Sequence, residues 1–182
     1  MNWLVADYIK YYENIVSDLQ CKEILGCTEN TFVPSTYSSH DNKIKGEERV
    51  RMDEFWVKND SVLWPTLLSC FEKVIKKYSQ DFPLFSVQRT TDFRINRYPE
   101  GGFMSKHCDN IHHSHGQQYG YPQVTALLYL NDNYEGGEFF VADHQYLPKR
   151  GSAIIFPSNF MYPHGAKEVT KGTRWSVVTW LM

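Results

Sequence analysis

His107 and Asp109 close the stretch Arg97-Tyr98-Pro99-Glu100-Gly101-Gly102-Phe103-Met104-Ser105-Lys106-His107-Cys108-Asp109. In an extended backbone, side chains two residues apart point to the same side. An imidazole nitrogen and a carboxylate oxygen can therefore reach one point together. That pair is two-thirds of the two-His, one-carboxylate set that holds non-haem Fe(II) on one face and leaves the remaining positions open. In a chain with seven His, a bare His-x-Asp also arises by chance. It gains meaning only with a second His further along, on another strand of the same barrel.

His164, 57 positions after His107, meets that need. Pro163 stiffens the approach to it and Gly165 allows close backbone contact. Ten positions later comes Arg174, at the mouth of the last expected strand, with Ser176 on the same face. Fe(II) held by such a triad keeps three positions open. A 2-oxo acid can take two of them through its keto oxygen and C1 carboxylate, and O2 the third. The far carboxylate of 2-oxoglutarate then needs an anchor. A guanidinium suits this because its rigid, permanently charged fork donates two parallel hydrogen bonds to a carboxylate. Tyr98 and Ser176 can add hydroxyl donors to the same group.

Taken together, Tyr98, His107-x-Asp109, Gly136-Gly137, His164 and Arg174 resemble the Fe(II)/2-oxoglutarate-dependent dioxygenases, and most nearly their prolyl 4-hydroxylase-like branch. The resemblance covers roughly residues 90–182 and, more loosely, the N-terminal support. Members of that branch carry a Tyr nine positions before the first ligand His and a basic residue ten positions after the distal one, as Tyr98 and Arg174 stand here. The basic residue is usually Lys in collagen-type prolyl hydroxylases. Arg174 is similar instead to small bacterial and phage members, as is the run from Phe156 to His164.

The resemblance implies a mainly β protein, a double-stranded β-helix or jelly roll, with helices packed outside one sheet. It implies His107, Asp109 and His164 as iron ligands and Tyr98 and Arg174 around the cosubstrate, where the parity of Ser176 with Arg174 adds Ser176. It implies Fe(II), 2-oxoglutarate and O2 as the reaction's requirements, with ascorbate as a stimulant. One oxygen atom of O2 would enter 2-oxoglutarate, giving succinate and CO2, and the other would hydroxylate a substrate C–H. Peptidyl proline is the expected substrate. A free amino acid, a small metabolite or a nucleobase is the alternative, and a non-catalytic jelly-roll binding module the remoter one. Relatives that halogenate have lost the ligand carboxylate. Asp109 is intact, so halogenation is not expected.

These residues need elements to position them. Residues 8–16, rich in aromatic and β-branched types, read as a first strand. Ser17 and Gln20 make a capping box for a short helix that ends at Leu25, before Gly26. Residues 28–48 have loop composition and are a candidate to order over a substrate. Residues 50–57 read as a strand, and Asp60 as a cap for the next element. Leu63, Leu67, Phe71, Val74 and Tyr78 form a helical stripe, with Pro65 tolerated near its first turn. From Thr91 onward the pattern is strand-like. The candidates are 92–98, 124–130, 138–142, 153–156 and 175–181, punctuated by Gly-, Pro- and Asn-rich turns. The run 124–130 is apolar on both faces and belongs at the centre of a sheet.

Parity adds secondary candidates. Arg94, Asn96 and Tyr98 share one face, and Trp180 shares one with Ser176. Asn96, Trp180, Glu138 (just after Gly136-Gly137) and His112 are the candidate substrate contacts. His112, His113 and His115 read as loop residues near the pocket mouth, Cys108 as packing, and His40 and His144 lack supporting context.

Length and composition frame these assignments. The 182 residues suit one domain, with support over about 1–90 and a core barrel over about 91–182. An aromatic fraction of 15% argues for a well-lined interior rather than disorder. A net charge of −2 argues against a dedicated nucleic-acid binder. That leaves a peptide, a protein or a small molecule as partner. Cys21, Cys27, Cys70 and Cys108 form no disulfide framework and read as reduced thiols, consistent with a cytoplasmic protein. The N-terminus has no signal-peptide pattern, and no apolar run approaches a membrane span.

Overall fold

The computed structural model describes residues 4–27, 31–35, 49–110 and 121–182. Its larger sheet has seven strands, in the order β1 (Lys10–Tyr12), β11 (Ala153–Pro157), β7 (Val124–Tyr129), β14 (Arg174–Leu181), β5 (Phe93–Tyr98), β4 (Asp53–Val57) and β2 (Val33–Pro34). A second sheet has five, in the order β10 (His144–Tyr146), β9 (Phe139–Val141), β12 (His164–Ala166), β6 (Phe103–His107) and β3 (Val50–Arg51). A two-stranded ribbon pairs β13 (Val169–Lys171) with β8 (Glu135–Gly136). From β5 onward the chain steps from the larger sheet to β6, back to β7, across to β9 and β10, back to β11, across to β12, and back to β14. That winding is the expected jelly roll.

The alternation of side chains builds two cores from one sheet. On β7, Val124, Ala126 and Leu128 face outward and Leu127 and Tyr129 inward, and all are buried. The outward set packs under helix α2 (Trp64–Asp81) through Leu67, Phe71, Val74 and Tyr78 of the helical stripe seen in the sequence, with Cys70 beside them. Phe71 stacks on Phe93 of β5 with ring centroids 5.1 Å apart. Truncating such a ring to Ala costs about 3–5 kcal/mol. The inward set meets Phe139, Val141, Phe156 and Trp180 between the sheets.

Helix α1 (Asp18–Gly26) carries the expected capping box, with the Ser17 hydroxyl accepting from the Gln20 N–H and the Gln20 side chain accepting from the Ser17 N–H. It runs one residue past the expected stop, through Gly26. Other expectations are corrected. The first strand is only Lys10–Tyr12, because Val5–Tyr8 forms a 3-10 turn and Asn14 turns the chain at φ 58°. The stretch 50–57 is two strands in different sheets: Val50 and Arg51 pair with β6, then Asp53–Val57 pair with β5. The chain crosses between the layers at Met52. Asp60 caps nothing. Leu63 is the N-cap of α2, and its N–H donates to the Ser61 hydroxyl. Short strands β2, β3, β6, β8, β10, β12 and β13 complete the sheets.

Among the described residues no helix is long and apolar enough to cross a membrane, and the four cysteines are free. Most of the expected loop 28–48, with His40, lies outside the described residues, and so do His112, His113 and His115. Residues 31–35, inside that stretch, include strand β2.

Candidate metal centre and cavity

Strands β6 and β12 are neighbours, and their register sets His107 directly opposite His164. Asp109 follows just beyond the end of β6. One ligand atom from each of the three side chains falls within 4.8 Å of the others. His107 Nε2 lies 3.3 Å from Asp109 Oδ1, and His164 Nε2 lies 3.1 Å from Asp109 Oδ2. Each imidazole is also fixed from behind. His107 Nδ1 is 2.9 Å from the Ser105 carbonyl, and His164 Nδ1 is 3.0 Å from that of Tyr162. A carbonyl only accepts, so each Nδ1 carries the proton in the neutral ring and each Nε2 presents its lone pair. That is the tautomer a metal ligand needs.

Asp109 is buried and held in the same way. The Thr125 hydroxyl donates to its Oδ2 at 2.7 Å, and Ser158 lies 2.8 Å behind Thr125. Burial opposes the charged form of Asp109. The His164 charge and hydrogen bonds from both imidazoles outweigh it, holding the carboxyl well below its ordinary range. For His164, burial opposes the charge while the Asp109 carboxylate raises its pKa, and the rise wins. Without a metal, His164 therefore holds its proton to higher pH than an ordinary imidazole.

The triad lines one end of a cavity between the sheets, together with Arg94, Asn96, Tyr98, Thr125, Arg174 and Trp180. Arg174 is 1% exposed, and none of its three guanidinium nitrogens has a hydrogen-bond partner in the described residues. Register places it opposite Tyr98, and the guanidinium carbon lies 4.7 Å from the Tyr98 ring centre and 5.2 Å from that of Tyr129. Among the described residues the hydroxyls of Tyr129, Tyr134 and Ser176 are buried without a hydrogen-bond partner as well. Burial raises the Tyr129 phenol far above its ordinary value, even against the pull of Arg174, so it stays a neutral donor. A buried, permanent cation ringed by unused hydroxyls fits an anion with several acceptor atoms, and a carboxylate has that chemistry. Gly137, at φ +64°, lets the chain pass here, because a Cβ would stand 3.1 Å from Arg174 Cδ.

The structure thus brings His107, Asp109, His164, Tyr98, Arg174, Asn96 and Trp180 to one cavity. Ser176 is fully buried between Asn96 and Tyr129 in the sheet register, beneath the cavity surface. Glu138 is off the cavity. Its neighbour Phe139 lines the wall, so alternation turns Glu138 the other way. Sequence reasoning passed over Thr125, Tyr129, Tyr134 and Ser158. A signal existed for Thr125, which is the one polar residue in the otherwise apolar and aromatic strand Val124–Tyr129.

Residues 93–182 match the model of the 2OG-Fe(II) oxygenase superfamily. Over 69 residues, 34% of this chain, the sequence is 42% identical to prolyl 3-hydroxylase 2 of Homo sapiens and 36% identical to prolyl 3-hydroxylase 1 of Gallus gallus. The chain spans about 10% of the length of these relatives. A prolyl-4-hydroxylase from Pseudomonas putida has the same fold at a TM-score of 0.72 and 18% identity, over 96% of this chain and 91% of that one. A prolyl hydroxylase from Trichoplax adhaerens, solved with a peptide fragment of the hypoxia inducible factor oxygen degradation domain, reaches a TM-score of 0.76 at 17% identity, over 97% of this chain and 84% of that one.

Proposed function

We propose that this chain, which belongs to the 2OG-Fe(II) oxygenase superfamily, hydroxylates a prolyl side chain within a peptide, using Fe(II), 2-oxoglutarate and O2. The observation that carries the proposal is the pairing, in one cavity, of a convergent His-Asp-His triad with a buried guanidinium that has no partner among the described residues. Proline is common to the similar proteins named above, whether 3- or 4-hydroxylases.

In this reading His107, Asp109 and His164 hold the metal by Nε2, a carboxylate oxygen and Nε2. Bound there with the keto acid and O2, iron supplies the oxidising power that puts one oxygen atom into a C–H bond while 2-oxoglutarate becomes succinate and CO2. The protein's share is positioning. The carbonyls of Ser105 and Tyr162 keep both Nε2 lone pairs available, and Thr125 fixes Asp109. Arg174 pairs with the far carboxylate of 2-oxoglutarate, and the hydroxyls of Tyr98, Tyr129 and Tyr134 take its remaining acceptor sites. Apolar walls from Leu127, Phe139 and Val178 line the cavity and exclude water.

The test is aerobic incubation with Fe(II), 2-oxoglutarate and a set of proline-containing peptides, following succinate and peptide mass together. Succinate should form in step with a gain of one oxygen atom on a prolyl residue, and Arg174→Ala should abolish both. Coupled turnover on free amino acids, with none on any proline peptide, would overturn the substrate assignment while leaving the family standing.

A further inference from the structure

We infer that Arg94 is a specificity-determining residue that reads a main-chain carbonyl of the peptide substrate and disfavours a carboxylate at the same place. The inference rests on the prolyl-peptide function proposed above. Arg94 stands on the cavity face of β5, four residues before Tyr98. Four residues of strand are about 13 Å long. Tyr98 is the register partner of Arg174, so the cavity carries a guanidinium towards each end of this strand. A small diacid anchored on Arg174 does not need the second one.

The two cations are handled differently. Among the described residues Arg174 has no counter-charge. Arg94 Nη1 lies 3.4 Å from Glu54 Oε2, and both side chains are only 16% exposed. Glu54 is itself held by the Ser35 hydroxyl at 2.7 Å and by Trp56 Nε1 at 3.2 Å. The guanidinium carbon of Arg94 lies 5.0 Å from the Trp180 ring centre and 5.6 Å from that of Trp56. Those flat faces and the carboxylate fix the plane of the fork. The pair is close to neutral, yet Arg94 Nε is buried with no partner among the described residues, so donor capacity remains on a residue that lines the cavity.

A neutral site with a spare N–H suits a neutral acceptor. A substrate carboxylate here would meet Glu54 as well as Arg94, in a poorly solvated wall where like charges repel strongly. A peptide carbonyl carries the acceptor without the charge. Arg94 and Glu54 would thus separate a proline inside a chain from a free amino acid or an acidic flank, without touching the bond that reacts.

The experiment uses the anaerobic Fe(II)/2-oxoglutarate enzyme and capped peptides. One is neutral, with a proline flanked by alanines, and two others carry a Glu on one or the other side of the proline. Tryptophan fluorescence reports binding, because Trp56 and Trp180 flank Arg94. Wild type should bind the neutral peptide most tightly. Arg94→Met should weaken that binding by about tenfold or more, the effect of losing a charged hydrogen-bond donor, with 2-oxoglutarate affinity unchanged. Glu54→Gln, which uncovers the cation, should reverse the order so that a Glu peptide binds best. A merely structural role for Arg94 would weaken all peptides alike and reverse nothing. If Arg94→Met binds and hydroxylates the neutral peptide as wild type does, the Arg94 assignment fails alone. The same holds if wild type already prefers a Glu peptide. If wild type binds 2-oxoglutarate but none of the peptides, the prolyl-peptide reading fails and takes the Arg94 assignment with it.

Discussion

Replacing Arg174 by Met should make the metal-free protein more stable while abolishing its response to 2-oxoglutarate. An uncompensated charge in the interior costs about 3–5 kcal/mol. Arg174 is 1% exposed and its guanidinium has no hydrogen-bond partner among the described residues. The faces of Tyr98 and Tyr129, at 4.7 and 5.2 Å, offset about 1–2 kcal/mol each. The balance is a residual cost of about 1 kcal/mol, which Met removes while filling similar volume. For a chain of this size that corresponds to a rise in Tm of about 2–4 °C.

Saturating ligand has the opposite pattern. At 100 times its Kd, 2-oxoglutarate should stabilise wild type by about 2.7 kcal/mol, and Arg174→Met by nearly nothing. Thermal melts of both proteins, with and without a redox-inert divalent metal and 2-oxoglutarate, read both effects. A variant that melts below wild type and still shifts with 2-oxoglutarate would refute the claim that the charge is kept for a ligand.

Other outcomes follow from the same geometry. Thr125→Val removes the hydroxyl that donates to Asp109 and should weaken Fe(II) affinity by about 10–100-fold in anaerobic titration, with little change in fold. His164→Ala should abolish stoichiometric Fe(II) binding in the same assay. Fe(II) affinity should rise with pH and level off above the ordinary His value of 6.5, because the neighbouring Asp109 carboxylate raises His164 and its proton must leave before the metal binds. In the metal-free protein His164 contributes stability that is complete below about 6.5 and lost as pH rises through its raised value, whereas Asp109 contributes stability that is complete above about 3.9 and lost on acidification through its lowered value. Chelator-treated melts across pH should therefore fall at both ends. Gly136→Ala forces a side chain to φ +70° with its Cβ 2.9 Å from the Thr170 backbone nitrogen, and should lower stability by at least about 2 kcal/mol in denaturant unfolding.

Where the sequence was legible, strict periodicity was the cause. The stripe from Leu63 to Tyr78 became the buried face of α2, and the two-residue alternation on β5 put Arg94, Asn96 and Tyr98 on one wall. Where it was not, the determinant was non-local. Nothing in the run from Val50 to Val57 marks Met52 as the point where the chain changes sheets, because that depends on which strands lie beside it. Strands β10, β12 and β13 are three residues each, too short to show a period. Glu138 was placed by its distance from two glycines, but the parity of Phe139 decides its direction. Tyr134 lies outside the strands altogether, and only the fold brings its hydroxyl near Arg174.

The cavity's two arginines show why residue type alone does not reveal a ligand. Both line one cavity, and by residue type they are equivalent. What separates them is the company the fold gives each. Arg94 folds against Glu54, so its charge is settled before any substrate arrives and only its hydrogen-bonding capacity is left over. Arg174 folds against the rings of Tyr98 and Tyr129, and burial keeps the Tyr129 and Tyr134 phenols protonated, so neither cancels its charge. A chain that can supply a carboxylate to one buried cation but withholds it from another leaves the second incomplete until an anion comes from outside. The net charge that the fold leaves at each end of the cavity therefore predicts the charge of what binds there, a dianion's carboxylate at Arg174 and a neutral peptide at Arg94. Moving the compensating charge should move that preference with it.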